Sequence, residues 1–406
     1  MTQYQVTLSN EDLHGLFQDD EGLANLMEKV LNQILQAQAT EAVGALPYER
    51  SETRRGLRNG LRDRILKTRV GSLNLSVPQF RQGSLSTPLW ERYQRSEMAL
   101  LVAMMEMVVN GVSTRKVTKI TEELCGTSFS KSTVSELCKS LDPLVGEWNE
   151  RPLGEYPFLL MDAIVVKVRT GGRVVSRSIM VSTGINPEGY REILGLKIGD
   201  SESYQGWSEY LGWLKERGLT GVDYAVSDHH RGLVKAIQEK FQGATWQRCQ
   251  AHFTKNILDV TPKALKDEVK ANLRSIFTAP DPKTARTLLN AALSAYEDKA
   301  PKAMETLENG FDDAVAVLTL PENYRRKLRT TNTQERLNRE IRRRERVIRI
   351  FPNESSAIRL IGAVLMEKDE EWTSGRVYMN MAKYLDWKQE QSSVVTKPEG
   401  KIVAAD

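Results

Sequence analysis

Between residues 157 and 240 the chain writes three apolar runs, FLLMDAIVVKV, VVSRSIMVSTGI and REILGLKIG, before any amphipathic helix pattern appears. Runs of this length, rich in β-branched residues and bounded by glycine, read as strands. The short glycine-containing links between them predict an antiparallel meander. SESYQGWSEYLGWLKERG then has helical spacing, VDYAVSD is a fourth strand, HRGLVKAIQEKF a second helix, and ATWQRCQ a possible further strand. Strand–strand–strand–helix–strand–helix constrains this region to a mixed α/β core.

The remainder is mostly helical. Leu23, Leu26, Met27, Val30, Leu31 and Ile34 recur at helical spacing within residues 1–48. RVGSLNLSVPQF alternates apolar and polar residues like short strands, punctuated by Gly71 and Pro78. A Met-rich apolar helix is expected over residues 92–110, stopped by Gly111. Ser113 can cap a helix ending near Leu124, with Val117 and Ile120 inward. Gly126 to Phe129 makes a turn, and a second helix starts near Ser132 and stops at Pro143. Thr133 and Glu136 have capping-box spacing. This pair fits a helix-turn-helix with Lys131 and Lys139 near phosphates, and fits an ordinary helical hairpin equally well. From about Cys249 to Leu328 everything reads as helix, broken at Pro262, Pro280 and Pro321. A last helix is expected from Glu354 to about Trp387, before a polar tail.

At 406 residues, two to four domains are expected. No apolar run approaches the ~20 residues of a membrane span. MTQYQVTLSNEDLHG has no basic start followed by an apolar core, so no secretory signal is expected. Three scattered cysteines favour a reducing compartment over a disulfide framework. There is no P-loop glycine pattern, so nothing suggests ATP use.

Charge is concentrated. Residues 325–349 hold eleven Arg and Lys against three Glu, a net +8 in a chain whose total is +4. Residues 50–81 hold nine against Glu52 and Asp63, a net +7. Two such segments read as candidate nucleic-acid footprints, although a charge run is more often a solvated face.

Three acids stand apart. Asp162 interrupts an apolar strand, where an unpaired carboxylate costs several kcal/mol. Asp228 closes VDYAVSD, and in open α/β sheets active groups tend to lie at strand ends. Glu335 heads the arginine-rich helix TTNTQERLNREIRRRER. At helical spacing, Leu337, Ile341 and Ile348 form one side, with Glu335, Asn338, Arg342 and Arg346 roughly opposite. Singly, each has an ordinary reading: a strand-end Asp bonded to amides, a helix N-cap, and a surface Glu in intrahelical ion pairs. Jointly, they suit two hard divalent cations. Two such ions ~4 Å apart serve the attacking and leaving oxygens of phosphodiester displacement.

LLMDA, VSDHHRGL, WQRCQAHFTKN and TTNTQERLNREIRRR, in this order and spacing, resemble the Mutator-type transposases of bacterial insertion sequences. The likeness runs from RNG…VPQFRQG near Arg58 to IFPNESS at residues 350–356. It implies a multidomain DDE enzyme: an RNase H-like α/β catalytic core, interrupted by an all-α insertion domain and preceded by helical and helix-turn-helix DNA-binding regions. The element order above is that of the RNase H-like fold. It maps the catalytic, metal-holding triad onto Asp162, Asp228 and Glu335, with His230, Cys249, His252, Asn332 and Asn338 supporting it. Arg54, Arg55, Arg58 and Arg62, and Arg339, Arg342, Arg343 and Arg346, are the expected DNA contacts. Two Mg²⁺ ions are expected, with Mn²⁺ able to substitute. Cys249 and His252 make only half a zinc site, so zinc is not. Trp246 suits a stacked base or, better, the core. One departure is His229, which stands where the family usually has a small residue.

The expected layout is a helical and short-strand DNA-binding or dimerisation region over 1–90 and a helix-turn-helix domain over 91–150. Core segments over 151–248 and 330–388 flank a helical insertion at 249–329, and a disordered tail fills 389–406. The implied function is cleavage and joining of DNA at the element's terminal inverted repeats and at target DNA, copy-out/paste-in through a circular intermediate. A homodimer or larger assembly would act on bacterial DNA in the cytoplasm, with no membrane. A junction nuclease, or a regulator built on the helix-turn-helix without catalysis, are the alternatives.

Overall fold

A computed structural model of the chain describes residues 4–15, 22–81, 87, 89 and 96–395. The chain divides into two compact units, Met1–Ser140 and Leu141–Asp406.

In the first unit, α1 (Asn10–Gly15) and α2 (Gly22–Val43) precede a hairpin of β1 (Arg58–Thr68) and β2 (Gly71–Phe80). Ala24 and Leu35 of α2 pack with Leu66, Leu73 and Leu75 of the hairpin into a small core. The turn needs Gly71, whose φ is 129° and whose missing Cβ would lie 3.3 Å from Ala24. Next come α3 (Met98–Val109), α4 (Thr114–Cys125) and α5 (Lys131–Cys138), closed around Leu100, Met104, Val117, Phe129 and Val134. Residues 92–95 of the expected Met-rich helix lie outside the described residues. Ser113 caps α4 as expected, and Gly126 ends it in the left-handed region. The second helix departs from expectation at both ends. Ser130, not Thr133, is its cap, accepting from the Thr133 N–H. Pro143 does not stop it, because α5 has already ended at Cys138. Pro143 instead sits in the first turn of α6 (Leu141–Asn149), where its missing N–H costs nothing.

The second unit is built on a five-stranded sheet, ordered β5-β4-β3-β6-β7. β3 (Phe158–Thr170), β4 (Arg173–Ile185) and β5 (Arg191–Gly199) form the expected meander. After α7 (Tyr204–Glu216), β6 (Tyr224–Ser227) adds parallel to β3. After α8 (Arg231–Lys240), β7 (Thr245–Arg248) adds parallel to β6. Alternation along the strands splits the core in two. Leu159 and Met161 face α7 and α8 through Trp207, Leu211, Leu233 and Ile237. Phe158, Leu160, Tyr224 and Val226 face a helical block: α9 (Gln250–Asp259), α10 (Lys266–Phe277), α11 (Pro282–Tyr296), α12 (Pro301–Val315) and α13 (Glu322–Leu328).

The chain then returns to the sheet as α14 (Asn332–Ile348) and α15 (Glu354–Thr373), and ends in α16 (Ala382–Val395). The single C-terminal helix expected to reach Trp387 is thus two. Residues 389–395, read as tail, are helical, and residues 396–406 lie outside the described residues. Contact with Asp223 explains this, since both Tyr384 and Lys388 of α16 donate to its carboxylate, at 2.8 and 2.6 Å. No helix among the described residues is long and apolar enough to cross a membrane.

Candidate active site

Asp162 lies midway along β3, past the point where β6 stops pairing with it. Leu160 stands opposite Val226 in the parallel ladder. Asp162 lies two residues further along β3, on the face toward the helical block, and Asp228 directly follows the end of β6. The charge of Asp228 acts on Asp162 accordingly. Burial first, and that like charge second among what opposes ionisation, push the Asp162 carboxyl up to about 6. Asp162 accepts from the Ala163 N–H at 2.9 Å and from Asn338 Nδ2 at 2.6 Å.

Asn338 brings in α14. The first turn of that helix is fixed by Gln334, fully buried, which accepts from Thr183 Oγ1 at 2.7 Å and donates to the Val181 carbonyl at 3.3 Å. Val181 is the β4 partner of Asp162, so the anchor sets Glu335 beside the same stretch of β3. The far end is tied too: Phe351 exchanges backbone hydrogen bonds with Lys167 and Arg169 of β3, at 2.8 and 2.9 Å. Leu337, Ile341 and Arg344 form the buried side of α14, as the helical spacing required of the first two.

His252, on the first turn of α9, completes the cluster. Its Nε2 stands 3.8 Å from Glu335 Oε1. The Cys249 thiol, with Thr331 N and Oγ1 donating to it at 3.4 and 3.3 Å, is fully buried. Its contact with His252, together with the nearby carboxylates, holds the imidazole up to about 9. Although burial pushes the Cys249 thiol up, the hydrogen bonds from His252 and Thr331 outweigh it and leave it below its ordinary value. Sulfur, imidazole nitrogen and Glu335 oxygen all lie within 4.8 Å of one another. The sequence offered two donors here, and the fold supplies a third.

The ion pairs of α14 separate Glu335 from its neighbours. Glu340 pairs with Arg343 and Arg344, and Glu345 with Arg342. Glu335 pairs with no arginine among the described residues, nor do Asp162 and Asp228 pair with any lysine or arginine. The reading of Glu335 as one more intrahelical ion pair therefore fails. The helix-cap reading of Asp228 fails as well, because the N-cap of α8 is His230, without a side-chain cap bond.

The remaining expected positions are more scattered. His230 is half-buried with an unpartnered Nδ1, and Asn338 Oδ1 is buried without a partner too. Asn332 is exposed at the start of α14. Trp246 belongs to the core and donates from Nε1 to Ser227 Oγ at 3.0 Å, so it does not present a face to a base. On α14, Arg339, Arg342, Arg343 and Arg346 are exposed. In the first unit, Arg55 and Arg62 are exposed, whereas Arg54 and Arg58 are occupied. Arg54 donates to the Gly56 and Glu49 carbonyls at 3.1 and 2.7 Å, and Arg58 to Thr40 Oγ1 and the Ala45 carbonyl at 2.8 and 3.1 Å.

One acid escaped the sequence reading. Glu202, half-buried just before α7, has its carboxyl raised by burial and by the charge of Asp228, and its own charge reaches Asp162. Gly232 of α8 fixes its place, because a Cβ there would fall 2.6 Å from the Tyr204 nitrogen. An acid beside a capping serine in a loop carries no signal that a distant strand end will be packed against it.

Comparison with known proteins supplies the family. The family model described as "Transposase, Mutator family" matches residues 1–375. The transposase for insertion sequence element IS256 in transposon Tn4001 of Staphylococcus aureus is 46% identical over 391 residues, 94% of this chain and 100% of that protein. That for element ISRM5 of Rhizobium meliloti is 42% identical, over 90% of this chain and 92% of its own. That for element IS1081 of Mycobacterium tuberculosis is 40% identical, over 88% and 87%. With a match of this extent, the chain belongs to the Mutator family of transposases.

Proposed function

We propose that this protein is an insertion-sequence transposase that cleaves DNA at its element's inverted terminal repeats and joins the freed ends to new DNA. Asp162, Asp228 and Glu335 are its catalytic triad, set on an RNase H-like core with the α9–α13 block as an insertion domain. What supports this is that Asp162 on β3 feels the charge of Asp228 at the end of β6 and accepts from Asn338, one helical turn from Glu335 on α14, while among the described residues no lysine or arginine pairs with any of the three acids.

The residues fit divalent ions. The donors are hard carboxylate oxygens, that of Asp162 within reach of the Asp228 charge, and Asn338 Oδ1 is buried without a partner. Mg²⁺ or Mn²⁺ bound there would offset charge on the attacking and leaving oxygens of a phosphodiester. The chain's own groups do the holding. Gln334 and Asn338 fix α14 and Asp162 against each other, and His252 stands beside Glu335 as a donor for a substrate phosphate. The exposed arginines of α14 grip the flanking backbone. Water is the first nucleophile, breaking a P–O bond to leave a 3′-hydroxyl. That hydroxyl then attacks another phosphodiester, forming a new P–O bond as the P–O3′ bond of the attacked strand breaks and its 3′-hydroxyl leaves, with no covalent protein intermediate. We place this chemistry in a copy-out/paste-in route through a circular intermediate, by at least a dimer on two ends, in the bacterial cytoplasm.

Asp162→Asn, Asp228→Asn and Glu335→Gln are each expected to abolish metal-dependent cleavage of end DNA while leaving end binding largely intact. Full cleavage by any one variant would remove that residue from the triad. A strand-transfer assay on pre-cut ends separates a transposase from a nuclease that only cuts.

A further inference from the structure

Arg248 closes β7, and its partner in the parallel ladder is Ser227, the residue before Asp228. It is 8% exposed, and its Nε faces no acceptor. Among the described residues its guanidinium takes part in no hydrogen bond and no ion pair. Several other deeply placed arginines of the same unit are satisfied, although Arg191, stacked on Trp372 and Tyr378, also leaves its Nε without an acceptor. Arg359 makes a forked pair with Asp142 at 2.6 and 2.7 Å, Arg151 reaches Asp369 at 3.0 Å, and Arg344 pairs with Glu340. Burying a cation without a partner is costly, so an arginine left so invites an anion from outside.

Its surroundings hold it in readiness. The guanidinium lies over the Phe253 ring, 4.1 Å from the centroid. Gly310 of α12 leaves the room, since a Cβ there would fall 2.3 Å from Nη1. Asp313 and Asp228 attract it from beyond ion-pair range. Exposed His229 stands beside it, its ring 5.8 Å from that of Trp246. Arg248 is thus a stacked, donor-rich group on the edge strand, beside the strand that ends just before Asp228.

We propose that Arg248 binds a non-bridging oxygen of a DNA phosphate at or next to the cut, as a substrate-binding residue of the active site. The planar fork of guanidinium donors matches a phosphate, and its charge complements the carboxylates beside it. This inference rests on the proposed triad.

The test uses the full-length protein and end duplexes. One carries normal phosphates, and five others carry a single neutral methylphosphonate at the scissile phosphate or at either of two phosphates on each side. Binding is measured in Ca²⁺, and single-turnover cleavage of the normal duplex in Mn²⁺. Arg248→Gln is expected to bind about tenfold more weakly and to cleave about a hundredfold more slowly, the scale of a lost transition-state donor. Arg248→Lys, which keeps the charge without the fork, falls between. At one of the five positions, the methylphosphonate should weaken the wild type about tenfold yet weaken Arg248→Gln no further. Equal losses in both proteins at all five positions overturn the proposal. If Arg248→Gln fails to fold, the same comparison is made with Arg248→Lys, where an undiminished loss at all five positions overturns it equally. Asp228→Asn is the control for the site itself. If it cleaves normally, the triad is wrong. If it is dead while the losses stay independent, only the role of Arg248 falls.

Discussion

Asp162 is ionised against its surroundings, which makes it measurable without DNA. Its ordinary value of 3.8 applies to the unfolded chain, and the folded value is about 6. The folded state therefore binds the proton more tightly. The penalty is absent below about 4, grows between the two values, and is complete above 6, at most about 3 kcal/mol. Asp162→Asn removes it. In metal-free melts the variant is expected to exceed the wild type by a few degrees at pH 7.5, the gap closing toward pH 4. Added Mg²⁺ should raise the wild type and not the variant. A wild type as stable as the variant at pH 7.5 would show that Asp162 is already neutralised by the protein. This acid was legible because a carboxylate breaks an apolar run, whereas Glu202 was not, because only its folded nearness to Asp228 and Asp162 assigns it to the site. His252 has the opposite sign. Raised to about 9 from 6.5 chiefly by Cys249, its charge adds stability that is full below about 6.5 and lost as pH rises through 9. Cys249→Ala should bring the His252 midpoint down toward its ordinary value in an NMR titration. An unmoved midpoint would assign the shift to the carboxylates alone.

At the scale of elements, helical and strand periodicity read from the sequence placed the meander, α7, α8 and the buried side of α14. Ends were less legible. Pro143 is as compatible with a first turn as with a stop. The polar residues 389–395 are helical because Asp223 holds α16 through Tyr384, 161 positions away in the sequence. The basic segments show the same limit, since the number of charges does not say which arginines are free. Arg58 is tied to Thr40 and Ala45, while Arg55 and Arg62 are exposed. Replacing Arg55 and Arg62 by Ala, or Arg342 and Arg346 by Ala, should weaken end binding and make it less salt-dependent. The log–log slope should become shallower by roughly 0.9 for each phosphate no longer neutralised. Arg58→Ala should instead lower the melting temperature of the protein. A salt slope unchanged in either double variant removes that pair from the DNA-binding surface.

At the scale of the molecule, the stretch between Asp228 and Glu335 looks in the sequence like an interruption, a run of helices inside an α/β pattern. Packing gives it a second part to play. Phe158, Leu160, Tyr224 and Val226 of the sheet share one core with Phe253, Leu273, Leu307 and Phe311 of the helices and with Tyr384 of α16. The block therefore covers the face of the sheet on which Asp162 follows Phe158 and Leu160, and α14 leaves it already directed at β3. The sequence could not show this, because an apolar helical stripe does not say which surface it covers. Phe311 is fully buried in that shared core, so Phe311→Ala should destabilise the second unit by about 3–5 kcal/mol. If sheet and block form one cooperative structure, tryptophan fluorescence, to which buried Trp207 on the opposite face of the sheet contributes, should shift its midpoint together with far-UV circular dichroism. A helical signal that melts early while the fluorescence transition stays where it is in the wild type would instead make the block a separable domain. The distance between the second and third acids would then be a matter of sequence alone.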